Sequence, residues 1–187
     1  KHKELIQNID LIISYLFWKK IKHPLLHLPK IGCVNFHPAP LPDYRGFSPY
    51  TFGILNSASS WGVTAHYIDE KFDTGKIIQV KKFKIHVENE TSFSLEQKSQ
   101  KQLFLLFKQI IIKFLNNGIL KSIPQDKGKY FSKKDFEISR KILSKNSIDE
   151  VDKKIRAYWY PPFEGAYIEI NKKEFFVINK NILKEIK

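Results

Sequence analysis

The sequence predicts an α/β fold in which a mostly parallel sheet is flanked by helices, and three features carry this prediction. Residues 10–14 (DLIIS) and 31–36 (IGCVNF) are short apolar runs typical of buried strands in parallel sheets. The intervening residues 15–30 are long enough for the crossover that a parallel pair requires. Apolar residues between positions 95 and 114 recur at helical spacing and predict one long helix.

The middle of the chain is predicted to add two strands and a short helix. Alternating apolar and polar residues are typical of half-buried strands, and two such stretches precede the long helix. Three prolines and a glycine within residues 37–46 predict a rigid loop without helix. The predicted elements are strands at residues 61–68 and 76–85, a helix from Phe47 or Ser48 through Leu55, a helix cap at Thr91 or Ser92, and a helix stop at residues 116–118.

The chain changes character after Pro124, where we expect a small β-rich module. Residues 148–156 predict a short helix. Residues 165–170 (GAYIEI) and 174–178 (EFFVI) predict a hairpin that turns at Asn171-Lys172. The predicted domains are residues 1–122 and residues 123–187.

Composition and charge narrow the functional classes. The net charge is +13, but only three of the 32 basic residues are arginine. Because phosphate and base recognition favours arginine, we interpret the lysine excess as compositional bias, with a nucleic-acid surface as the alternative. The lone cysteine, Cys33, excludes a disulfide framework and indicates a cytoplasmic location. Polar residues interrupt the apolar stretch at residues 103–115, so we expect no membrane partner.

Three polar residues are candidates for catalysis. Asn35 ends a predicted parallel strand and His37 follows it, at the edge where α/β sheets bind ligands. Asn35 can donate an amide N–H to a developing oxyanion, and His37 can move a proton near neutral pH. Asp73 can orient a histidine and stabilise its charged form. Each residue also has a structural interpretation, as a strand-end polar group or a turn aspartate.

Four ordered motifs distinguish this chain from other α/β proteins. They are Asn35-Phe36-His37, residues 41–49 (LPDYRGFSP), residues 62–66 (GVTAH) and Asp73-Thr74-Gly75. In this order they resemble the folate-dependent formyltransferase family, whose members act on methionyl-tRNA, glycinamide ribonucleotide or nucleotide-linked amino sugars. The resemblance runs from residue 10 to about residue 118. The chain departs from the family at Pro40, where a second leucine is usual.

The resemblance implies a Rossmann-like catalytic domain and a reaction. Asn35, His37 and Asp73 match the family's catalytic set, whereas His66 and His86 match no catalytic position and are predicted to be structural. The implied formyl donor is 10-formyltetrahydrofolate, and no metal is expected. Attack of a neutral amine on the formyl carbon would give a tetrahedral intermediate, whose oxyanion Asn35 and protonated His37 would stabilise.

The resemblance also implies where the folate binds. In the family the pterin slot is built largely from the backbone of two loops, and backbone groups suit its alternating donors and acceptors. For Phe17 and Trp18 we slightly prefer core packing over a wall of this slot. The predicted cofactor-binding residues are Lys19, Lys20, Ile21, Phe47, Asp69, Glu70, Lys71, Phe72 and Asp73.

The end of the chain indicates the acceptor. Residues 155–167 (IRAYWYPPFEGAY) resemble a run in sugar formyltransferases, and the tail is shorter than that of the tRNA enzymes. We therefore predict that the substrate is a nucleotide-linked amino sugar, a small molecule. Methionyl initiator tRNA is the weaker alternative partner, and a catalytically inactive binding module is a third. Whether the protein forms a homodimer is left open.

The resemblance further implies that part of the family's sheet lies outside this sequence. The family begins with two β–α units of roughly 30 residues each, before the strand at residue 10. No methionine occurs in the sequence, including position 1. Because those units complete the sheet, we expect these 187 residues by themselves to be poorly stable or inactive.

Overall fold

The computed structural model describes residues 8–17 and 19–185, which form two compact units. Of the described residues, the first unit comprises 8–17, 19–45, 62–82 and 99–129, and the second comprises 46–61, 83–98 and 130–185. This spatial grouping does not test the predicted domain division at residue 122, which stays a prediction. In chain order the elements are β1 (Leu11–Tyr15), β2 (Gly32–His37), β3 (Arg45–Gly46), α1 (Pro49–Leu55), β4 (Ser60–Tyr67), β5 (Ile77–Lys84), α2 (Ser92–Asn117), β6 (Tyr130–Phe131), α3 (Lys133–Arg140), α4 (Ile148–Tyr158), β7 (Tyr167–Ile170), β8 (Lys173–Phe176) and α5 (Lys180–Glu185).

The main sheet has four strands in the order β1-β2-β4-β5. Strands β1 and β2 pair in parallel, from Leu11 opposite Gly32 to Tyr15 opposite Phe36, which confirms the predicted crossover pair. Strand β4 runs antiparallel to β2 and places His66 opposite Asn35. With its helices and its C-terminal antiparallel strand pair, the chain has the predicted α/β class.

Helix α2 begins and ends where its sequence predicts. The Thr91 hydroxyl accepts from the Ser94 backbone N–H at 3.1 Å, and the Thr91 N–H donates to the Ser94 hydroxyl at 3.0 Å. This reciprocal arrangement satisfies two donors at the helix start, as in a capping box. After Asn117, Gly118 has a φ of 65°, a left-handed conformation that glycine adopts without steric cost. In the part of the chain that the structure describes, no helix is long and apolar enough to cross a membrane.

The core of the first unit joins the sheet to the apolar face of α2. The rings of Phe36 on β2 and Phe107 on α2 meet edge to face, with centroids 5.2 Å apart. Each large aliphatic or aromatic side chain buried here stabilises the fold by about 1.5–3 kcal/mol. The fully buried residues of this core include Val34, Phe36, Leu103, Leu106 and Ile110.

The core of the second unit is largely aromatic. Trp61 is fully buried beside Gly53, where a Cβ would lie only 2.4 Å from the indole ring. Glycine at position 53 therefore permits this close approach. The rings of Phe52 and Phe131 stack with centroids 4.0 Å apart. Tyr158 of α4 is also buried, so α4 contributes a side of the same core.

Of the C-terminal elements, the sequence predicts the hairpin and α4 but not the helices α3 and α5. The predicted hairpin is confirmed, and its turn residues Asn171 and Lys172 both have positive φ, as a tight hairpin turn requires. The predicted helix at residues 148–156 is α4. Helices α3 and α5 were missed, although Ser132 and Asp135 form a capping box at the start of α3. Both helices are short, and so neither gives a long apolar repeat.

Candidate active site

Strand β2 presents its two candidate residues on one face. Asn35 and His37 are two positions apart, and alternate residues of a strand point to the same side. His37 is only 5% exposed. On the neighbouring strand β4, His66 lies opposite Asn35 and Thr64 lies opposite His37. The sheet register thus brings a second histidine to the site.

The imidazole of His37 is held by a backbone carbonyl and faces a carboxylate. Its Nε2 lies 2.7 Å from the carbonyl oxygen of Tyr44, and because a carbonyl can only accept, Nε2 carries the proton. Its Nδ1 lies 3.6 Å from Oδ1 of Asp73. In the neutral ring Nδ1 is therefore unprotonated, and a proton arriving there would form an ion pair with Asp73.

Asp73 lies in a tight loop that follows β4. Its φ is 57°, a left-handed conformation that aspartate tolerates better than most residues. The loop is braced by Asp69, whose Oδ1 accepts from the Lys71 N–H at 3.0 Å and from the Thr74 hydroxyl at 2.6 Å. The Asp73 side chain is 11% exposed, so its charge acts in a largely water-free setting.

His66, predicted from the sequence to be structural, contacts both Asn35 and Asp73. Its Nδ1 lies 2.7 Å from the Tyr67 carbonyl and so carries the proton of the neutral ring. Its Nε2 then accepts from Asn35 Nδ2 at 3.2 Å, and lies 3.6 Å from Asp73 Oδ1. This bond orients the Asn35 amide. Asn35 Oδ1 is buried and has no hydrogen-bond partner among the described residues.

Burial sets the protonation of His37. It lowers the pKa of His37 below the ordinary value, because a low-dielectric interior disfavours the charged imidazole. The Asp73 carboxylate opposes this shift, the neighbouring His66 adds to it, and the Tyr44 carbonyl opposes it. His37 is therefore neutral at neutral pH, with its lone pair at Nδ1.

A small cavity, called here the catalytic cavity, collects most of the predicted folate-binding residues. Its free volume is about 50 Å³. Phe17 lines it and is 52% exposed, so Phe17 does not belong to the core, and Trp18 lies outside the described residues. Glu70 is an exposed loop residue that does not line the cavity. The lining residues are Ser14, Phe17, Lys19, Lys20, Ile21, Asn35, His66, Ile68, Asp69, Lys71, Phe72 and Asp73.

Phe47, the remaining predicted cofactor contact, lines a different cavity within the second unit. This aromatic cavity has a volume of about 660 Å³. The Phe136 ring lies 5.2 Å from that of Phe47 and 4.8 Å from that of Tyr158. Its charged groups are paired, with Arg140 Nη1 2.8 Å from Glu164. The cavity is lined by Phe47, Ser48, Pro49, Tyr50, Thr51, Ser92, Phe136, Glu137, Arg140, Ala157, Tyr158, Tyr160, Pro162, Phe163 and Glu164.

The fold and the buried Asn–His–Asp cluster define an α/β protein that can move protons beside a polar pocket. Residues 2–110 match the family described as Formyl transferase, and the chain belongs to this family. It is therefore a formyl-transferring enzyme, as its motifs predicted. Among residues 8–17 and 19–185, no group of three or more His, Cys, Asp or Glu side chains is arranged to hold a metal ion.

Curated relatives include enzymes for two kinds of acceptor. GDP-perosamine N-formyltransferase of Brucella melitensis is 31% identical over 95% of this chain and 67% of its own length. Methionyl-tRNA formyltransferase of Halothermothrix orenii is 34% identical over 88% of this chain. The alignment covers 53% of that enzyme, so this chain spans about half its length.

Solved structures share the fold. A 4-N formyltransferase from Francisella tularensis has a TM-score of 0.82 at 29% identity, over 94% of this chain and 72% of that one. An N-formyltransferase from Helicobacter canadensis, in complex with folinic acid and dTDP-3-aminofucose, has a TM-score of 0.72 at 30% identity. That alignment covers 87% of this chain and 59% of the Helicobacter chain.

Proposed function

We propose that this chain transfers the formyl group of 10-formyltetrahydrofolate to the primary amine of a nucleotide-linked amino sugar. The observation that carries the proposal is the buried cluster in which Asp73 faces neutral His37 on one side and, through His66, is linked to Asn35. Family membership supplies the group that is transferred. The Helicobacter relative is complexed with folinic acid and a dTDP-linked amino sugar, and the Brucella relative is named for GDP-perosamine.

The first step forms the carbon–nitrogen bond. The neutral amine attacks the formyl carbon, and the carbonyl electrons move to the oxygen. Asn35 Nδ2 gives one N–H to His66 and keeps a second, which would donate to the developing oxyanion. His37 Nδ1 then takes the proton that the attacking nitrogen must lose.

The second step releases the folate. The oxyanion reforms the carbonyl, the bond to the folate nitrogen breaks, and that nitrogen takes the proton from His37. Because burial lowers the pKa of His37, the residue serves first as a base, rather than as the cationic stabiliser expected from the resemblance. The Asp73 carboxylate, 3.6 Å from Nδ1, stabilises the cation formed between the steps.

The folate is assigned to the catalytic cavity. The loops at residues 19–21 and 69–73 line it and offer backbone donors and acceptors. Lys20 Nζ lies 5.9 Å above the exposed ring of Phe72, and both residues line the cavity.

The acceptor's nucleoside is assigned to the aromatic cavity. A volume of about 660 Å³ lies within the range of small-molecule sites, and aromatic rings give a base surfaces to stack on. The hydroxyls of Thr51 and Ser92 in its wall are hydrogen-bonded within the chain, Ser92 donating to the Ala157 carbonyl at 2.5 Å. Tyr158 is buried at the back of the cavity, and its pKa is raised to about 12 by burial, so its hydroxyl stays protonated.

The arginines favour a small acceptor over tRNA. All three are bound to groups of the chain itself, so none offers an unoccupied fork to a phosphate backbone. Arg45 binds Gln125 and Arg140 binds Glu164. Arg156 binds Asp152 and the backbone carbonyls of Val87 and Glu90.

The test is a formyl-transfer assay, with 10-formyltetrahydrofolate, of the chain extended by the family's two N-terminal β–α units. The acceptors are a panel of nucleotide-linked amino sugars and methionyl initiator tRNA, with products identified by mass spectrometry. We expect a formamide on an amino sugar, and a loss of about a thousandfold in kcat for His37→Ala. His86→Ala is the matched control, because the His86 side chain is 81% exposed. Full activity of His37→Ala would exclude the mechanism. Formylation of tRNA alone would show that the acceptor is methionyl initiator tRNA and not an amino sugar.

A further inference from the structure

We propose that Gln125 is a positioning residue that holds both partners of His37 in place, a role that rests on the proposed function. Oε1 of Gln125 accepts from Arg45 Nε at 3.0 Å and from Arg45 Nη2 at 2.7 Å. Its Nε2 donates to the carbonyl of Asp73 at 3.0 Å and to that of Gly75 at 2.6 Å. Both N–H groups and both lone pairs of the amide are thus used.

Through Arg45, this amide holds in place the carbonyl that accepts from Nε2 of His37. Tyr44, whose carbonyl accepts from His37 Nε2, immediately precedes Arg45. Arg45 is held further by its Nη2 bond to the Asp126 carbonyl, 2.9 Å, and by its backbone N–H bond to Lys129, 3.0 Å. The carbonyl that selects the tautomer of His37 is therefore anchored through Gln125.

The NH₂ end of the amide holds in place the loop whose Asp73 carboxylate faces Nδ1 of His37. The two N–H groups of Gln125 bind carbonyls at both ends of the sequence Asp73-Thr74-Gly75. A Cβ at Gly75 would lie 1.8 Å from the Tyr67 carbonyl, so this turn lies directly against the end of β4. Gln125 thereby fixes the position of the loop that carries the Asp73 carboxylate relative to the end of β4.

The chain around Gln125 is itself tightly placed. Ile123 exchanges two backbone hydrogen bonds with Ile77, at 2.8 and 2.9 Å. A Cβ at Gly128 would lie 2.0 Å from the Pro42 carbonyl, so the segment also lies against the motif loop. A reversed Gln125 amide would put its oxygen against two carbonyls and its NH₂ group against the guanidinium. The surroundings therefore allow only the observed orientation.

Two variants separate positioning from bulk stability. Gln125→Leu removes all four hydrogen bonds at similar size, and Gln125→Glu keeps the acceptors for Arg45 but replaces the donors with an oxygen. We expect both to lower kcat about tenfold to a hundredfold, with KM for both substrates within about threefold, because a small displacement of His37's partners misaligns proton transfer. Gln79→Leu is the matched control, since Gln79 binds only Lys113 at the surface, at 2.6 Å, among the described contacts.

A second measurement does not depend on catalysis. In ¹⁵N NMR of the histidine side chains, with His37 assigned by the signal lost in His37→Gln, we expect the wild type to show the Nε2-protonated tautomer. Both Gln125 variants should show a mixture of tautomers, and Gln79→Leu should not. A tautomer mixture in the Gln125 variants supports the positioning role even if no acceptor is formylated. The absence of formylation would count only against the proposed function. A folded variant with wild-type kcat and an unchanged tautomer would overturn the proposal.

Discussion

The catalytic cavity and the aromatic cavity differ in size and in chemistry. The aromatic cavity is the larger, but the buried titratable groups converge beside the smaller catalytic cavity. The aromatic cavity has about 660 Å³ of space, and its Arg140 is already bound to Glu164. The catalytic cavity has about 50 Å³, but a buried imidazole and carboxylate converge beside it. Cavity volume by itself therefore does not locate the chemistry, whereas buried titratable groups indicate where a proton can move.

Burial favours the region of His37 and Asp73 as the place of the proposed chemistry. His37 and Asp73 interact across 3.6 Å in a setting that excludes most water, so a change of charge on either is felt strongly by the other. The aromatic walls of the larger cavity change no charge near neutral pH. We therefore expect substitutions of His37 and Asp73 to change kcat, and substitutions in the aromatic cavity to change KM for the acceptor.

The largest effect is expected from Asp73→Asn. The amide keeps the shape of the carboxylate but cannot stabilise a protonated His37, so kcat should fall about a thousandfold while the protein stays folded. Steady-state kinetics with a thermal-melting check measure this. Asp126→Asn, at an exposed position, should keep wild-type kinetics. If Asp73→Asn kept more than about a tenth of kcat, proton transfer would have to be placed elsewhere.

A smaller effect is expected from Phe136→Ala in the aromatic cavity. Losing a ring that borders Phe47 and Tyr158 should raise KM for the acceptor about tenfold and leave kcat within about threefold. Phe104→Ala is the control, because Phe104 is exposed and lines neither of these cavities. An unchanged acceptor KM would mean that the cavity does not hold the nucleoside, and the two cavities would no longer divide binding from chemistry.

His66 offers a test within the catalytic cavity. His66→Leu removes the acceptor that orients Asn35, so kcat should fall about tenfold, the free energy of roughly one hydrogen bond. His66→Gln restores an acceptor oxygen and should recover part of the loss. Steady-state kinetics of His66→Leu and His66→Gln, giving kcat and the KM for each substrate, measure these changes. Equal losses in the two variants would contradict an orienting role.

The smallest effect is a pH dependence of stability. The folded-state pKa of His37 is lowered by burial, so as pH falls below about 6.5 the unfolded chain binds a proton that the folded chain does not. Stability should therefore decrease on acidification, by at most about 1.4 kcal/mol per pH unit, and show no contribution from His37 above that range. Melting curves between pH 5 and 8 should show a shallower decrease for His37→Gln than for the wild type. A matching slope in His37→Gln and His86→Gln would contradict the buried neutral imidazole.

Much of the fold follows from local patterns. The apolar runs predict β1 and β2 and their parallel pairing, and the helix signals predict both ends of α2. These predictions succeed because strands, helix caps and turns depend on residues close together in the chain. The short helix α3 has no long apolar repeat, and its Phe136 packs against Tyr158, which is remote in the sequence.

The sequence by itself determined the family and the Asn35, His37 and Asp73 motifs, because these are contiguous patterns in a diagnostic order. Only the tertiary structure decided how those residues are held. Strand register places His66 opposite Asn35, and burial keeps His37 neutral. The Gln125 amide reaches Asp73 from far along the chain. Contacts of this kind are set by packing between remote segments, so no local pattern of residues records them.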